Sequence, residues 1–372
     1  MAMSTLRTTT TGQTAIRSVA SKHQWEKTLL TDLFTAYYCA RKNKRNTSSQ
    51  VRFERNLSDN LMCLYDDLLS GHYRVGRSIC FVIKDPVYRE VFAASFRDRI
   101  VHHLLCNWLM PVFERTFIYD SYSCRVGKGN SFGVSRLEHH IRSCSENYRH
   151  PCYVLKLDIE SYFMSIDRKI LYEIVRSRIL SYASRNECSF NVPFVLRLLA
   201  LIIFNDPLRG CYRKGSSLDW ANLPKGKSLF YAAPGCGLPI GNLTSQMFSN
   251  VYLSVLDNYV KRTLKFKHYG RYVDDFYLVS TSKDELLFAI PKIRSFLLSE
   301  LGIVLHPRKI RLCRAPQSIL FLGKTVRPFR TSIHPRCSRR TKNRFFNLLV
   351  NEPDPYRILR TYKSIDTMIF SL

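Results

Sequence analysis

Acidic residues are scarce in this sequence. The chain of 372 residues has 29 Asp and Glu against 57 Lys and Arg, which gives a formal net charge of +28. An excess of this size is typical of proteins that bind a polyanion, and nucleic acid is the commonest one. Runs of 18 apolar residues and lipidation motifs are missing as well. We therefore expect a nucleic-acid partner and no membrane, with an anionic membrane surface as the weaker interpretation.

Cysteine pairing motifs and export signals are also absent from the sequence. The 12 cysteines form neither a CxxC pair nor a Cys/His zinc spacing, and no secretory signal is recognisable. This pattern predicts reduced thiols in an intracellular protein. The first 22 residues are rich in Thr and Ser and contain no acid. A frayed, polar N-terminus is the favoured interpretation of that stretch, and an organellar transit peptide is the alternative.

The sequence mixes helical and strand patterns. Apolar residues recur at helical spacing over residues 23–70 and again over 338–372, whereas residues 77–95 alternate like a β-hairpin. Between 205 and 235 lies a polar insertion that Gly and Pro interrupt. With 45% hydrophobic residues the chain can bury a sizeable core. The patterns predict an α+β protein of one large or two to three smaller domains.

Two strand-like segments carry acidic residues where burial is expected. Asp274 and Asp275 lie in "HYGRYVDDFYLVS", and Asp158 lies near the carboxyl end of the strand in "YVLKLDIESYF". Carboxylates in such places lose water and repel one another, which costs free energy. If the two strands pair in one sheet, Asp158 meets the turn of Asp274 and Asp275. For Asp158 alone, an Asp that leaves a strand for a turn is the simple alternative.

Divalent cations would offset the cost of clustering three carboxylates. Ligands that are all oxygen suit Mg²⁺, with Mn²⁺ as an alternative, because Mg²⁺ keeps several waters and completes its shell with substrate phosphates. Two such ions about 4 Å apart would activate a 3′-hydroxyl and stabilise the leaving pyrophosphate. The three acids therefore predict nucleotidyl transfer with two metal ions.

An ordered set of segments in this chain resembles reverse transcriptase motifs 1 to 7, over about residues 50–330. The segments are "VIKDPVYRE", "FRDRIVHHLL", "SCRVGKGNS", "LKLDIESYF", "GLPIGNLTSQMFSN", "RYVDDFYLVS", "LGIVLHPRKIRL" and "ILFLGK". The segment "GLPIGNLTSQ" further resembles the enzymes of bacterial diversity-generating retroelements and of defence-associated "unknown group" reverse transcriptases. Group II intron and retroviral enzymes usually have Gln where this chain has Ile240.

The resemblance implies a right-hand polymerase fold and a bacterial, cytoplasmic protein. Fingers with N-terminal helices would span about residues 1–150, and the palm about 151–325, with the insertion at 205–235. A short, basic helical thumb would follow at 326–372. From residue 308 to 344 the chain has twelve Lys and Arg and no acid, which favours a surface that follows nucleic-acid phosphates over a solvated face.

The resemblance also implies roles for individual residues. Asp158 and Asp274 would be the main metal ligands, Asp275 would complete the acidic site, and the backbone carbonyl of Ile159 would help to bind one metal ion. Lys309 would protonate pyrophosphate, although it can equally be one of the basic residues that contact phosphate. Since adjacent strand residues point to opposite faces, Asp274 and Asp275 cannot be equivalent ligands unless a turn reorients one of them.

Further implied roles concern the nucleotide and the nucleic acid. Phe163 matches the aromatic residue that excludes a ribose 2′-hydroxyl, and Lys84 with Arg89 matches the pair that clamps a triphosphate. The residues that would form the floor of the nucleotide pocket are Ile240, Gly241 and Gln246. The candidates for contact with template or product are Arg97, Arg99, Arg125, Lys324, Arg339 and Arg340. The partners would be dNTPs, a template RNA and its cDNA, with an accessory protein or a second copy of the chain left open.

Four functions remain open from the sequence. The favoured one is copying a dedicated structured noncoding RNA into cDNA in anti-phage defence, and the next is mutagenic copying in a diversity-generating retroelement. An RNA-dependent RNA polymerase shares the two-metal palm, but Val273 and Phe163 argue against it. A catalytically idle RNA-binding protein on a palm scaffold is disfavoured because all three acids are present. A nucleotide-incorporation assay separates the reverse transcriptase, the RNA polymerase and the idle protein.

Overall fold

The computed structural model describes residues 10–42, 47–85, 87–315 and 317–370. Its helices are α1 (Thr10–Arg41), α2 (Ser48–Arg55), α3 (Leu57–Ser70), α4 (Phe96–Glu114), α5 (Asn130–Cys144), α6 (Tyr162–Ser165), α7 (Arg168–Ala183), α8 (Val192–Ile203), α9 (Ser217–Ala221), α10 (Leu243–Asn258), α11 (Lys283–Leu301), α12 (Pro335–Asn351) and α13 (Pro355–Phe370). Its strands are β1 (Ile79–Ile83), β2 (Arg89–Ala93), β3 (Tyr153–Asp158), β4 (Tyr212–Lys214), β5 (His268–Tyr272), β6 (Asp275–Ser280), β7 (Arg311–Arg314), β8 (Ile319–Phe321), β9 (Lys324–Arg327) and β10 (Arg330–Ile333). This mixture of helices and sheets confirms the predicted α+β class.

The chain forms two compact units, each built from two separate stretches. Unit 1 comprises Met1–Phe117 and Ser161–Tyr252, and unit 2 comprises Ile118–Glu160 and Leu253–Leu372. The boundaries predicted at residues 150 and 325 were meant to separate fingers, palm and thumb, and they differ from the boundaries of these two compact units. The subdomain boundaries stay a prediction.

Aromatic and aliphatic side chains on α1, α4 and α8 hold the helical part of unit 1 together. The Trp25 ring lies 5.8 Å from that of Trp108 and 5.4 Å from that of Phe194. Helix α4 begins where the Ser95 hydroxyl accepts a hydrogen bond from the Asp98 amide, and it buries residues on most of its surface. Buried on so many sides, α4 is a central helix of the unit and not a surface helix.

The small sheet of unit 1 has the strand order β2-β1-β4. The predicted hairpin of β1 and β2 is present, with Ile83 opposite Arg89. Strand β4 comes from the predicted insertion and pairs in parallel with β1. The fully buried Glu90 on β2 accepts hydrogen bonds from the Ser228 hydroxyl (2.9 Å) and the Leu229 amide (2.6 Å). The insertion is therefore part of the sheet and is fixed to it by a buried carboxylate.

The central sheet of unit 2 has the antiparallel order β5-β6-β3-β7. Buried residues of β3 and β6, among them Val154 and Tyr277, share a core with α5 and with β8. Gly270 on β5 is required by close packing, because a Cβ there would lie 2.3 Å from the Tyr122 hydroxyl and 2.6 Å from that of Tyr277. A second antiparallel sheet, β10-β9-β8, follows in the chain.

Helix α12 and the first half of α13, up to Tyr362, are largely exposed. Helix α12 has no buried residue, and the rings of Phe345 and Tyr362 lie 5.7 Å apart between α12 and α13. Among the residues that the structure describes, no helix combines the length and the apolar character needed to cross a membrane.

Candidate active site

The three predicted carboxylates lie on two neighbouring strands and the turn beside them. Strands β3 and β6 pair antiparallel, and the last residue of β3, Asp158, lies opposite the first residue of β6, Asp275. Asp274 comes one residue earlier, in the turn that joins β5 to β6. The pairing that the sequence predicts if the strands share a sheet is therefore present, and it places all three acids at one end of the unit 2 sheet.

The turn that holds Asp274 has an unusual backbone. Tyr272 pairs with Asp275, so the turn consists of two residues, Val273 and Asp274. Val273 has a φ of +54°, a conformation that β-branched residues rarely adopt. Two-residue hairpins with a positive φ at the first position usually carry Gly there. Because Asp274 lies in the turn and only Asp275 lies in the strand, the alternation of side chains along a strand does not apply to this pair. The two acids therefore need not point to opposite faces of the sheet.

Two lysines neutralise the carboxylates. The Lys309 ammonium donates a hydrogen bond to the Asp158 carboxylate at 2.8 Å. Lys156, two residues before Asp158 on β3, lies 3.5 Å from the Asp275 carboxylate and donates to the carbonyl of Leu320 at 2.7 Å. The site therefore balances part of its negative charge with cations from β3 and from the segment before β7.

The segment that carries Lys309 is tied to the end of β3. The His306 amide donates to the Asp158 carbonyl at 2.8 Å, and the Glu160 amide donates to the Val304 carbonyl at 2.9 Å. The fully buried Ile159 forms an isolated antiparallel bridge with Leu305. These backbone bonds explain how a residue 151 positions away in sequence reaches Asp158.

Burial and mutual repulsion raise the pKa values of two of the acids. Desolvation, followed by the charges of Asp158 and Asp275, raises the pKa of Asp274 to about 6. Desolvation is also the main cause that raises the pKa of Asp275, and Lys156 opposes that rise. The lysines therefore offset the clustering of negative charge only in part, which leaves a site that favours an added cation.

The donor chemistry fits divalent metal ions, although the protein alone does not form a finished cage. Within residues 10–42, 47–85, 87–315 and 317–370, no three His, Cys, Asp or Glu side chains are arranged to hold a metal ion by themselves. Oxygen-only carboxylate ligands suit hard cations that complete their shells with water and phosphate, and such sites are rarely complete in the protein alone. The mutual repulsion of the acids is what a bound cation would relieve.

The structure brings several predicted nucleotide-pocket residues together in unit 1. Phe163 and Ile240 both pack against a buried cluster that contains Phe92. The Phe92 amide donates to the Ile240 carbonyl at 2.7 Å, so the loop before α10 pairs with β2. Gly241 has a φ of +117°, and a Cβ there would lie 2.8 Å from the Phe92 carbonyl oxygen. Gln246 lies on an exposed position of α10.

The two predicted triphosphate ligands flank the turn between β1 and β2. Lys84 follows β1 directly, and Arg89 is the first residue of β2. Lys84 forms an ion pair with Asp219 of α9 at 2.7 Å, and its side chain remains 59% exposed. Asp219 comes from the insertion, and the sequence did not predict a role for it.

The predicted nucleic-acid ligands fall into two groups. In unit 1, Arg97 pairs with Asp67, and burial lowers the pKa of Arg99. In unit 2, Arg125 is buried and donates to the carbonyls of Ile118 (2.7 Å) and Ser121 (2.8 Å), which gives it a structural role. The partly exposed or exposed residues are Lys324, Arg339 and Arg340. Contacts of all six residues with nucleic acid stay a prediction.

Sequence reasoning missed the residues that hold the turn of Asp274. Arg271 and Asp257 form a fully buried ion pair at 2.7 Å, and a guanidinium nitrogen of Arg271 donates to the Val273 carbonyl at 3.0 Å. A basic residue inside the apolar strand "HYGRYV" was the available signal, because a buried Arg requires a partner.

A family model described as reverse transcriptase (RNA-dependent DNA polymerase) matches residues 84–326, which is more than half of the chain. The chain belongs to the reverse transcriptase family. This confirms the predicted polymerase fold and the enzyme class, RNA-directed DNA polymerase, at the level of the family. Reverse transcriptases use divalent metal ions, which agrees with the chemistry of the three acids.

One curated relative and several solved structures are similar to this chain. Protein YkfC of Escherichia coli (strain K12) is 23% identical over 312 residues, which covers 74% of this chain and 73% of that protein. Apo telomerase from Candida tropicalis, truncated from its C-terminal domain, matches with 13% identity and a TM-score of 0.49 over 69% of this chain and 55% of that chain. Telomerase from Candida albicans with a fragment of telomeric RNA matches with 13% identity and a TM-score of 0.47 over 79% of this chain and 54% of that chain. The chain spans little more than half of the length of these telomerases.

Proposed function

We propose that this protein copies RNA into DNA by nucleotidyl transfer at the centre formed by Asp158, Asp274 and Asp275. The observation that carries the proposal is the cross-strand pairing of Asp158 with Asp275 beside the turn of Asp274. Desolvation, together with the neighbouring acids, raises the pKa of Asp274, so the charged carboxylates are costly without a cation. A protein gains nothing structural from that cost, whereas a polymerase needs the carboxylates to hold metal ions, which in turn bind phosphates.

Asp158, Asp274 and Asp275, with the backbone carbonyl of Ile159, would hold two Mg²⁺ ions, for which Mn²⁺ is the alternative. The bound ions would lower the pKa of the attacking 3′-hydroxyl and stabilise charge on the leaving pyrophosphate.

The remaining roles belong to the side chains of this protein. Lys309, which neutralises Asp158 at 2.8 Å, would give a proton to the leaving pyrophosphate. Lys84 and Arg89, at the two ends of the β1–β2 turn, would bind the triphosphate. Phe163 would exclude a ribose 2′-hydroxyl and so select deoxynucleotides. Ile240 and Gly241, with Gln246, would line the floor of the base-pair pocket.

The exposed basic residues of unit 2 would hold the template and product. Arg339 and Arg340 are exposed on α12, a helix with no buried residue. Lys324 begins β9, which lies next to β8. Phosphate contacts of this kind are independent of sequence and depend strongly on salt. Arg97, Arg99 and Arg125 are the further candidates for contact with the template, although Arg97 now pairs with Asp67 and Arg125 with two backbone carbonyls.

The template is, in this proposal, a dedicated structured noncoding RNA, and the biological context is anti-phage defence in the bacterial cytoplasm. The β4 insertion, which extends the sheet of unit 1, supports a specialised enzyme of this type. An accessory protein or a second copy of the chain would complete the partners. Mutagenic copying in a diversity-generating retroelement is the second candidate, and Ile240 favours it, because an apolar side chain offers no hydrogen bond for nucleotide selection. A neighbouring template and variable repeat pair would favour the second candidate, and a cluster of defence genes the first.

Primer extension on an RNA template tests the proposal. The wild-type protein should incorporate dNTPs in Mg²⁺, and a variant with both Asp274→Ala and Asp275→Ala should lose incorporation by at least a thousandfold while it still binds RNA. Incorporation of rNTPs in preference to dNTPs would indicate an RNA polymerase. Robust DNA synthesis by the double variant would contradict the assignment of these acids to the active site.

A further inference from the structure

The turn that carries Asp274 is strained, and something must hold it. Val273, at φ +54°, is a β-branched residue in a conformation that favours Gly. Residues with such backbone angles persist only where the surrounding structure fixes them, and they are common at functional sites. Asp274 and Asp275 follow directly, so whatever fixes Val273 also fixes the direction of both acids.

The guanidinium of Arg271 bonds directly to this turn. One of its terminal nitrogens, Nη1, donates to the Val273 carbonyl at 3.0 Å. On the opposite side, Nε and Nη2 both donate to the carboxylate of Asp257 at 2.7 Å. A planar guanidinium bound bidentately has no freedom to rotate, so the bond to the turn has a fixed direction.

The anchor for this guanidinium is itself held on several sides. The Tyr269 hydroxyl donates to Asp257 at 2.7 Å, and Nη2 of Arg271 also donates to the Ser121 hydroxyl at 3.2 Å. The Arg271 side chain and the Asp257 side chain are both fully buried. The Arg271 backbone is fixed as well, because its amide donates to the Asp120 carbonyl at 2.9 Å.

A buried ion pair usually adds little to the free energy of unfolding. Removing two charges from water costs about as much as their attraction returns, and well-packed apolar residues often serve equally well. The pair is more useful as a source of fixed geometry. Here Arg271 uses one of its nitrogens to reach the carbonyl of the strained residue on this hairpin.

We propose that Arg271 and Asp257 are positioning residues, which hold the Val273 carbonyl and thereby aim Asp274 and Asp275. The proposal rests on the proposed function, since it assigns these acids to the reaction. It makes Arg271 act through Val273 and not through contact with substrate.

The test is whether relieving the strain at Val273 removes the need for Arg271. Gly adopts a positive φ without strain, so Val273→Gly alone should leave kcat within about threefold of wild type. Arg271→Lys keeps the charge but loses the bidentate fork, and we expect kcat to fall 10- to 100-fold with KM for dNTP changed less than threefold. Combining Arg271→Lys with Val273→Gly should recover at least tenfold of the lost kcat.

A second measurement does not depend on polymerisation. Mn²⁺ binding, followed by the electron paramagnetic resonance signal of the free ion, should weaken at least fivefold in Arg271→Lys and return to within twofold of wild type when Val273→Gly is added. Should Arg271→Lys fail to fold, Tyr269→Phe removes a hydrogen bond from Asp257 without touching a charge. We expect Tyr269→Phe to lower kcat less than Arg271→Lys does. Adding Val273→Gly should restore the kcat of Tyr269→Phe in the same way.

Arg136→Lys is the matched control. Arg136 forms a similar pair with Asp120 in unit 2, at 2.7 and 3.2 Å, and its further contact is with the His140 ring at 3.2 Å rather than with the turn. Its substitution should leave both kcat and Mn²⁺ binding within twofold of wild type. Failure of Val273→Gly to rescue folded Arg271→Lys, in a wild-type protein that polymerises, would overturn the positioning role. A wild-type protein that shows the Mn²⁺ pattern but no polymerisation would instead overturn the proposed function.

Discussion

The Arg271–Asp257 pair of unit 2 and the Lys84–Asp219 pair of unit 1 have the same N–O distance, 2.7 Å. Their surroundings differ, because both side chains of the first pair are fully buried, whereas Lys84 is 59% and Asp219 18% exposed. The buried pair has additional bonds from Tyr269 to its carboxylate and from its guanidinium to Val273. The exposed pair joins the long, flexible side chain of a lysine to a short helix of the insertion.

The comparison shows that distance alone does not tell what an ion pair does. A buried pair cannot exchange partners, because either charge left alone would lack both water and a counter-ion. An exposed pair contributes little to stability and can exchange its partner for a ligand. We therefore expect the pair at Arg271 to fix geometry and the pair at Lys84 to release its lysine to a polyanion.

The largest expected effect is on stability. Asp257→Asn would leave the buried Arg271 without a counter-ion, and it should lower the free energy of unfolding by about 3–5 kcal/mol. Asp219→Asn should leave the free energy of unfolding unchanged within error. Urea unfolding with intrinsic fluorescence measures both, as shifts of the midpoint at constant slope. Equal destabilisation by the two substitutions would mean that burial does not distinguish the pairs.

Asp274 sharpens the comparison, because it is partly buried in unit 2 but lies mainly among like charges. Its pKa of about 6 in the folded protein exceeds the value of 3.8 expected in the unfolded chain. Between those values the folded state holds a proton that the unfolded state lacks, so this group stabilises the fold below pH 4 and loses that effect as pH rises through 6. An uncharged Asn at position 274 would avoid this loss of folding stability.

The metal-free Asp274→Asn variant should therefore be more stable than wild type at neutral pH. The difference should grow from near zero at pH 3 to a plateau of about 3 kcal/mol above pH 7. Urea unfolding in the presence of a chelator across this range measures it. Glu187→Gln, at an exposed position, is the control and should show no such trend. A gain that is the same at pH 4 and pH 7 would show that the charge of Asp274 is not the cause.

The central features of unit 2 were predictable from sequence because they depend on local pattern. The apolar residues around Asp158 and around Asp274 predict strands, and the requirement to pair them predicts that the acids meet. An Asp directly before a helical pattern is a common N-cap, and the Asp167 carboxylate accepts hydrogen bonds from the amides of Lys169 and Ile170 at the start of α7. In these cases the residues that determine the structure lie next to one another in the chain.

The features that escaped prediction depend on residues that are distant in sequence. Strand β4 has three exposed residues and no strand pattern, and it forms because β1 offers it a free edge. Asp219 reaches Lys84 across 135 positions, and Lys309 reaches Asp158 across 151. Long-range pairing of this kind leaves no periodicity in a single sequence. A buried charge such as Arg271 indicates that a partner exists but not which residue it is.

The smallest expected effect concerns the exposed pair, and it tests whether Asp219 acts as an exchangeable counter-ion of Lys84. Asp219 raises the pKa of Lys84 and occupies the ammonium that would bind a triphosphate, so nucleotide binding must first displace a carboxylate. Asp219→Asn should lower KM for dNTP about two- to fivefold with kcat unchanged, and the gain should shrink at high salt because exposed charges are screened. Steady-state kinetics on an RNA template measure the change. Asp206→Asn, in the same insertion, is the control and should leave KM unchanged. In a Lys84→Ala background, Asp219→Asn should leave KM for dNTP unchanged. An equal decrease of KM in that background would show that Asp219 acts on nucleotide binding through some group other than Lys84.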